Sequence, residues 1–239
     1  MDVLSNMIDV FLHIDEYLGQ IISQYGTLTY LILFAIIFIE TGVVVLPFLP
    51  GDSLLFAAGT FASPALAAPG QEPPLNIVVL IVLLCAAAIL GDTANYWIGH
   101  KIGPRAFSGN VRFLKKEHLD RTHAFFEKYG GKTIVLARFV PIVRTFAPFV
   151  AGVGEMSYGK FISYNIFGGI SWVLIFTLAG YFFGNLPFVQ EHFELVVVAI
   201  VLISVMPAVY EYIKGKRAKA VEKPGSGEEA KAEEQISAG

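Results

Sequence analysis

The chain has 239 residues, of which 55% are hydrophobic and 15% are charged, and its mean hydropathy is +0.62. Soluble domains carry about 25% charged residues, so this composition excludes an ordinary soluble domain and predicts an all-α integral membrane protein with one domain. A single cysteine, Cys85, excludes an internal disulfide.

The first predicted element is an amphipathic N-terminal helix over residues 1–24. Apolar residues recur there at helical spacing, among them Leu4, Ile8, Phe11 and Leu18. The segment has four acids and no Lys or Arg, which argues against a secretory signal peptide. Two placements of this helix stay open: on the membrane surface, or packed against the protein's own helices.

Charge is distributed unevenly along the chain. All 17 Lys and Arg residues follow position 100, whereas residues 1–100 carry eight acids. Eight basic residues lie in the 101–132 loop and four more in 214–219. Because loops rich in Lys and Arg stay in the cytoplasm, we expect the 101–132 loop and the C-terminus to be cytoplasmic and the N-terminus to lie outside.

A transmembrane domain is predicted at 25–213, followed by a disordered, cytoplasmic tail at 214–239 that is rich in Lys, Glu, Gly and Ala. Within the domain, spanning helices are expected at 75–99, 158–184 and 188–213, and broken re-entrant hairpins at 27–66 and 132–155. The second hairpin must enter and leave on the cytoplasmic side, because a span there would leave the C-terminal basic cluster outside. Its two arms, of about 12–15 Å each, reach half of the hydrocarbon core. Two opposed hairpins, each followed by a span, resemble an inverted repeat.

Charged residues lie within these apolar hairpins. Arg138 and Arg144 are in the second hairpin, and Glu40 and Asp52 are in the first. Each charge near a helix centre costs about 2.5–3.5 kcal/mol to insert. A chain retains such groups when they face a cavity, pair with each other or bind something. The complementary signs therefore predict a transport site for a charged group.

Proline and glycine residues accompany these charges. Pro47, Pro50, Pro141 and Pro148 are expected to interrupt helices, and Pro50, Gly51, Pro141 and Gly152 to support the breaks. Half-helices that begin near Gly51 or after Pro141 would expose amide donors at membrane depth. A kink at Pro141 would let the two arginines converge.

The two arginines are suited to bidentate binding of a phosphate. Glu40 and Asp52 are expected to balance them in the empty site, so that phosphate capture would release the acids to take up protons. The alternative is a fixed ion-pair cluster that holds the hairpin tips together, and Asp52 could also be a helix N-cap. Asp92 could be functional or simply a polar residue at a helix end.

Sequence motifs in this chain resemble those of the DedA family of bacterial inner-membrane proteins, which is related to the VTT-domain proteins of eukaryotes. The motifs are Glu40 followed by FLPGDSLL at 48–55, GDTANYWIGHKIG at 91–103, FFEKYGGKTIVLARFVPIVRTFAPFVAG at 125–152, and GGISWVLIFTLAGYFFG at 168–184. The resemblance implies opposed re-entrant hairpins in the inner membrane. It also implies transport of phospholipids or polyprenyl phosphates such as undecaprenyl phosphate, driven by an ion gradient, with Glu40, Asp52, Arg138 and Arg144 as the functional residues.

The leading hypothesis is therefore a lipid-phosphate flippase or scramblase coupled to protons or sodium ions. A proton-coupled antiporter or ion transporter that maintains the membrane potential is a second interpretation, and a structural membrane-assembly protein is a third. No enzyme motif is present, and we expect no cofactor, no metal site and no nucleic-acid partner. The expected partners are membrane lipids and the lipid phosphate itself, and the sequence leaves open whether the protein is a homodimer.

Overall fold

The computed structural model describes residues 13–43, 51–67, 70–107, 134–135, 138, 141–154, 156–200 and 202. Their regular structure is helical, with no β-strand in these ranges, which confirms the prediction of an all-α chain. The helices, in chain order, are α1 (Ile14–Tyr25), α2 (Leu28–Gly42), α3 (Gly51–Phe61), α4 (Ile77–Phe107), α5 (Pro141–Val153), α6 (Tyr158–Phe183) and α7 (Pro187–Glu191). A 3₁₀ turn at Pro64–Leu66 follows α3, and helical residues resume at 193–200.

Within the described ranges, two helices are long and apolar enough to cross a membrane. They are the Ile77–Ile102 part of α4 and the whole of α6, with 26 residues each. At 1.5 Å per residue, 26 residues extend about 39 Å, which exceeds a hydrocarbon core of about 30 Å. Large apolar side chains such as Val82 and Phe167 are exposed on both helices, as expected for helices that face lipid. Helix α6 matches the predicted span 158–184 closely, whereas α4 runs beyond the predicted end of 75–99.

Three other apolar helices are shorter. Helices α2, α3 and α5 have 15, 11 and 13 residues, so at 1.5 Å per residue each is shorter than the hydrocarbon core. The prolines at positions 47 and 50 fall in 44–50, outside the described residues. Pro148 lies inside α5, so the expectation that it interrupts a helix is wrong. Helix α4 contacts the backbone of α5 before this proline, at the Thr145 carbonyl, and after it, at the Phe149 carbonyl. This packing offsets the hydrogen bond that proline cannot donate.

The last predicted span, 188–213, is not one continuous helix at its start. Helix α7 ends at Glu191, and His192 has φ −128° and ψ 37° before helical residues resume. The part after residue 202 lies outside the described residues.

Close helix crossings hold the chain together. Helix α4 packs against α2, α5 and α6, and α3 packs against α6. Gly59 and Gly180 form the α3–α6 crossing, where a Cβ atom at Gly180 would collide with the backbone carbonyl of Phe56. Gly99 and Gly152 form an equally close α4–α5 crossing. Small residues that let two backbones touch are typical of helix packing in membranes.

The N-terminal helix belongs to the same packed structure. Helix α1 packs against α2 and α3, and its Ile14 and Leu18 are buried in the main apolar core together with Leu33 and Ala62. Of the two placements left open by the sequence, packing against the protein's own helices is therefore the one observed for Ile14–Tyr25. The remainder of the predicted helix, residues 1–12, lies outside the described residues.

Candidate functional site

Charged side chains from several helices meet around two arginines, of which Arg138 is buried and Arg144 is 10% exposed. Arg144, in the first turns of α5, donates to Glu40 at the end of α2 and to Asp52 at the start of α3. The Trp172 indole of α6 donates from Nε1 to Asp52 Oδ1 at 2.7 Å, and the Trp172 ring centroid lies 5.1 Å from Arg144 Cζ. We call these four residues the Arg144 cluster.

Glu40 and Asp52 are held by their positions on the helices as well as by Arg144. The Gly51 amide donates to Glu40 Oε1 at 3.2 Å, and a Cβ atom at Gly51 would overlap the Glu40 carboxylate. Glycine at the start of α3 thus leaves room for this carboxylate. Asp52 lies in the first turn of α3, where the free amides and the helix dipole favour a negative charge.

The second arginine has different partners. Arg138 donates through Nη2 to Asp92 Oδ2 of α4 and to Asn165 Oδ1 of α6, the latter at 2.7 Å. The Asn165 amide in turn donates to the Ile89 carbonyl at 3.0 Å. We call Arg138, Asp92 and Asn165 the Arg138 cluster. A Cβ atom at Gly169 would lie 2.5 Å from Arg138 Nη1, so this glycine leaves room for the guanidinium.

The pairing differs from the expectation that Glu40 and Asp52 balance both arginines. Both carboxylates lie on Arg144, and the carboxylate that pairs with Arg138 is Asp92. The difference arises because α4 packs against both α5 and α6 and presents Asp92 to Arg138. Asp92 is buried, at 4% exposure, so it is not a polar residue at an exposed helix end.

An amide on α4 connects the two short helices that carry the Arg144 cluster. Asn95 donates to the Thr41 carbonyl of α2 at 3.2 Å and to the Thr145 carbonyl of α5 at 2.8 Å. Thr41 and Thr145 directly follow Glu40 and Arg144 in the chain. The amide therefore fixes the backbone beside each of these two charges.

Both clusters face one small cavity. It is lined by Glu40, Thr41, Asp92, Arg138, Arg144, Thr145 and Trp172. Its volume is about 10 Å³, which is the space of a single water molecule. Glu40 Oε2 and Arg138 Nη1 are buried and have no hydrogen-bond partner in the described part of the chain. The cavity thus has room for little more than one water molecule, and one acceptor and one donor remain available in it.

The site carries three carboxylates and two guanidinium groups, so its net charge is −1 when all are ionised. An uncompensated buried charge is costly. The site is therefore suited to take up one proton or one monovalent cation. Its arginines are also suited to release a carboxylate and bind another anion in its place. Among the described residues, no group of three His, Cys, Asp or Glu side chains could hold a metal ion.

The predicted break residues have separate positions. Gly51 and Pro141 begin α3 and α5, Gly152 lies at the α4–α5 crossing, and Pro50 lies outside the described residues. Sequence reasoning missed Trp172, Asn165 and Asn95. A usable signal was present for the asparagines, because a buried amide within an apolar helix needs partners.

A charged site among apolar helices, two of them long enough to cross a membrane, is consistent with an integral membrane protein that has an internal polar centre. The VTT domain matches residues 49–182, a range that contains both arginines, Asp52, Asp92 and Trp172. The chain belongs to the VTT-domain, or DedA, family of membrane proteins.

Relatives match most of the chain. Protein DedA of Escherichia coli (strain K12) is 52% identical over 92% of this chain and 98% of its own length. The uncharacterized membrane protein Rv0364 of Mycobacterium tuberculosis (strain ATCC 25618 / H37Rv) is 48% identical over 77% of this chain and 78% of its own length. The inner membrane protein YqjA of Escherichia coli (strain K12) is 32% identical, over 79% and 82% respectively. No solved structure matches the chain.

Proposed function

We propose that this protein translocates a lipid phosphate, either undecaprenyl phosphate or a phospholipid, across the bacterial inner membrane, coupled to protons or sodium ions. The observation that carries the proposal is Arg144, only 10% exposed, between two carboxylates, facing a small cavity that the buried Arg138 also lines. Guanidinium groups bind phosphate oxygens in the same geometry in which they bind carboxylates. A phosphate can therefore replace carboxylates at the arginines.

The two arginines would take different parts in phosphate capture. Arg138 has Nη1 without a partner in the described residues, so it can bind a phosphate oxygen while it stays paired with Asp92. Arg144 donates to Glu40 and Asp52 with its two terminal nitrogens, so it must exchange a carboxylate for the phosphate. Capture at Arg144 thus leaves a buried carboxylate without its cation.

Coupling follows from this exchange. The site has one more carboxylate than it has arginines, and each negative charge of an incoming phosphate must be offset in a medium of low dielectric constant. A carboxylate that loses its guanidinium is neutralised by a proton or a sodium ion. Phosphate binding and ion uptake are then one event, which is the requirement for a driven transporter.

The helix packing supports two opposed re-entrant hairpins related as an inverted repeat. The second arm of the first hairpin, α3, crosses α6 at a pair of glycines, and the second arm of the other hairpin, α5, crosses α4 in the same way. Each arm thus packs on the span that follows the other hairpin. In such repeats the substrate binds between broken helices near the membrane midplane, which is where both arginine clusters would lie.

The proposal includes the orientation of the chain and the membrane in which it lies. The positive charge of residues 101–132 and of the C-terminus supports a cytoplasmic position for both and an N-terminus on the outside. The relatives' names, which include an inner membrane protein, support this location.

The test is translocation of a labelled polyprenyl phosphate in proteoliposomes, with and without a pH gradient. The parent is compared with Arg138→Ala and Arg144→Ala, each checked for folding by its size-exclusion profile. We expect transport by the parent that a pH gradient accelerates, and loss of transport in both variants. A folded parent that moves no lipid phosphate would contradict the proposal.

An ion transporter without a lipid substrate is the second candidate. The net charge of −1 and the water-sized cavity favour it, because both suit a proton or a sodium ion. Proton or sodium flux through liposomes that contain no phosphorylated lipid would support this candidate. Fixed ion pairs in a structural assembly protein would give neither flux.

A further inference from the structure

Trp172 contacts both members of the Arg144–Asp52 ion pair. It is 1% exposed on α6 and lines the cavity. Its indole Nε1 donates to Asp52 Oδ1 at 2.7 Å, and its ring centroid lies 5.1 Å from Arg144 Cζ. The ring attracts the cation, whereas the N–H group attracts the anion. The Trp172 side chain thus fixes the positions of the Arg144 and Asp52 charges relative to each other.

This contact makes the two carboxylates of the Arg144 cluster unequal. If Arg144 moves to a phosphate, Asp52 keeps the indole donor at 2.7 Å. Glu40 keeps the Gly51 amide at 3.2 Å, and its Oε2 has no hydrogen-bond partner among the described residues. A hydrogen bond to the ionised form of a carboxylate favours that form, so the shorter bond favours an ionised Asp52.

The helix dipoles act in the same direction. Asp52 lies in the first turn of α3, next to the positive end of that helix. Glu40 lies in the last turn of α2, next to the negative end. A negative charge is therefore better supported at Asp52 than at Glu40 when the shared arginine is withdrawn.

Among the residues that the structure describes, the other charged groups near Asp52 do not reverse this order. Arg144 of α5 and Glu40 of α2 face it directly. Arg138 and Asp92 pair with each other across the same cavity. Helix α1 also packs on α3, but its Asp15 lies beside Thr60 and Phe61 at the opposite end of α3.

We propose that Trp172 is a positioning residue that keeps Asp52 ionised while Arg144 is occupied by phosphate, so that the coupling proton goes to Glu40. This inference rests on the proposed function. It assigns different roles to two carboxylates that share one arginine: Glu40 accepts the proton, and Asp52 returns Arg144 to its resting position.

The test uses Trp172→Phe, which keeps an aromatic ring next to Arg144 and removes the N–H donor. We expect transport by Glu40→Gln to be independent of pH, and transport by the Glu40→Gln, Trp172→Phe double variant to regain pH dependence because Asp52 then titrates. On the steep limb of the pH profile of the double variant, the transport rate should change about tenfold per pH unit, which is the slope for one titrating group. The chain has two tryptophans, so Glu40→Gln with Trp97→Phe is the matched control and should stay independent of pH.

The outcomes separate this inference from the proposed function. An active double variant that is as insensitive to pH as Glu40→Gln alone overturns the role of Trp172 and leaves transport intact. A double variant that is folded but inactive also overturns it, because the ring alone should support transport. A parent that moves no lipid phosphate overturns both proposals.

A measurement on the protein with Trp172 intact covers the case in which Trp172→Phe fails to fold. Nitrogen-15 labelling of tryptophan gives two indole N–H signals by NMR, and Trp97→Phe identifies the signal of Trp172. We expect that signal to stay constant over the pH range in which transport changes, because its acceptor Asp52 remains ionised. A Trp172 signal that titrates together with transport would overturn the inference.

Discussion

The Arg144 cluster and the Arg138 cluster place the same side chain in two electrostatic settings. Arg144 lies between two carboxylates and against an indole ring, whereas Arg138 has one carboxylate and one neutral amide. With all groups ionised, the Arg144 cluster has a net charge of −1 and the Arg138 cluster is neutral.

This difference indicates that the two clusters have different roles. A neutral, hydrogen-bonded pair is stable without further ions, whereas a buried cluster with excess charge responds to every proton or anion that reaches it. Arg144 is therefore the variable part of the site, and Arg138 is the fixed part that presents one unused donor. Substitutions at corresponding positions of the two clusters should have unequal effects.

The largest effect is expected for Arg144→Lys. A single ammonium group cannot bind two carboxylates on two helices, nor a phosphate in bidentate fashion. The loss of one charged hydrogen bond costs about 1.5–3 kcal/mol, and the initial rate of polyprenyl phosphate translocation should therefore fall roughly 10- to 150-fold. The translocation rate should fall less in Arg138→Lys, because Asp92 can still pair with an ammonium group. Equal rates in the parent and Arg144→Lys would contradict phosphate capture by Arg144.

Two glycines test the clusters without any change of charge. A Cβ atom at Gly51 would displace the Glu40 carboxylate, and one at Gly169 would press on Arg138 Nη1. We expect Gly51→Ala to reduce translocation about tenfold through one weakened charged hydrogen bond, and Gly169→Ala to reduce it less. Gly159→Ala is the control, because nothing lies within 4 Å of a Cβ atom there. A larger loss in Gly169→Ala than in Gly51→Ala would reverse the assignment of the variable cluster.

A smaller effect is expected for Asp92→Asn. The amide still accepts a hydrogen bond from Arg138, but the bond is no longer between two charges and is about half as strong. We expect a loss of about 1 kcal/mol in thermal unfolding experiments in detergent, with roughly fivefold slower translocation. If Asp92→Asn is as damaging as Arg144→Lys, the Arg138 cluster is not the merely fixed part of the site.

The smallest effect on rate, and the largest on pH dependence, is expected for Glu40→Gln, because loss of the excess negative charge of the Arg144 cluster offsets the weaker hydrogen bond to Arg144. The amide keeps its contact with the Gly51 amide but cannot take up a proton. Transport should persist and lose its dependence on pH before lipid-phosphate binding is lost, which a parallel binding titration would reveal. A variant whose transport follows pH as the parent's does would exclude Glu40 as the coupling acid.

Much of this site could be predicted from the sequence, because charges in apolar segments are costly and therefore informative. Glu40, Asp52, Arg138 and Arg144 were recognised in this way, and the structure brings all four to one place. The all-helical fold also followed from composition.

The partners of these charges could not be predicted, because pairing depends on which helix passes between which others. Asp92 lies in a polar stretch at the end of an apolar segment, where hydrophobicity gives no reason to prefer a buried position. Trp172 is apolar by composition, and its N–H group matters here only because α6 crosses α3 at Gly180. A proline by itself was also a poor predictor of a helix break. Pro148 lies within α5, because helix packing can offset one missing backbone hydrogen bond.

The glycine crossing of α3 with α6 has a consequence for how the chain is made. Gly59 and Gly180 are separated by more than a hundred residues, and no Lys or Arg occurs in the first hundred. During synthesis, Glu40 and Asp52 enter the membrane long before Arg144, Trp172 and the second glycine have left the ribosome. The first half therefore stays acidic and incompletely packed until the second half has been synthesised. The cation and the indole that hold these acids are thus made last, so a chain that stops before α5 would keep Glu40 and Asp52 and lack both Arg144 and Trp172.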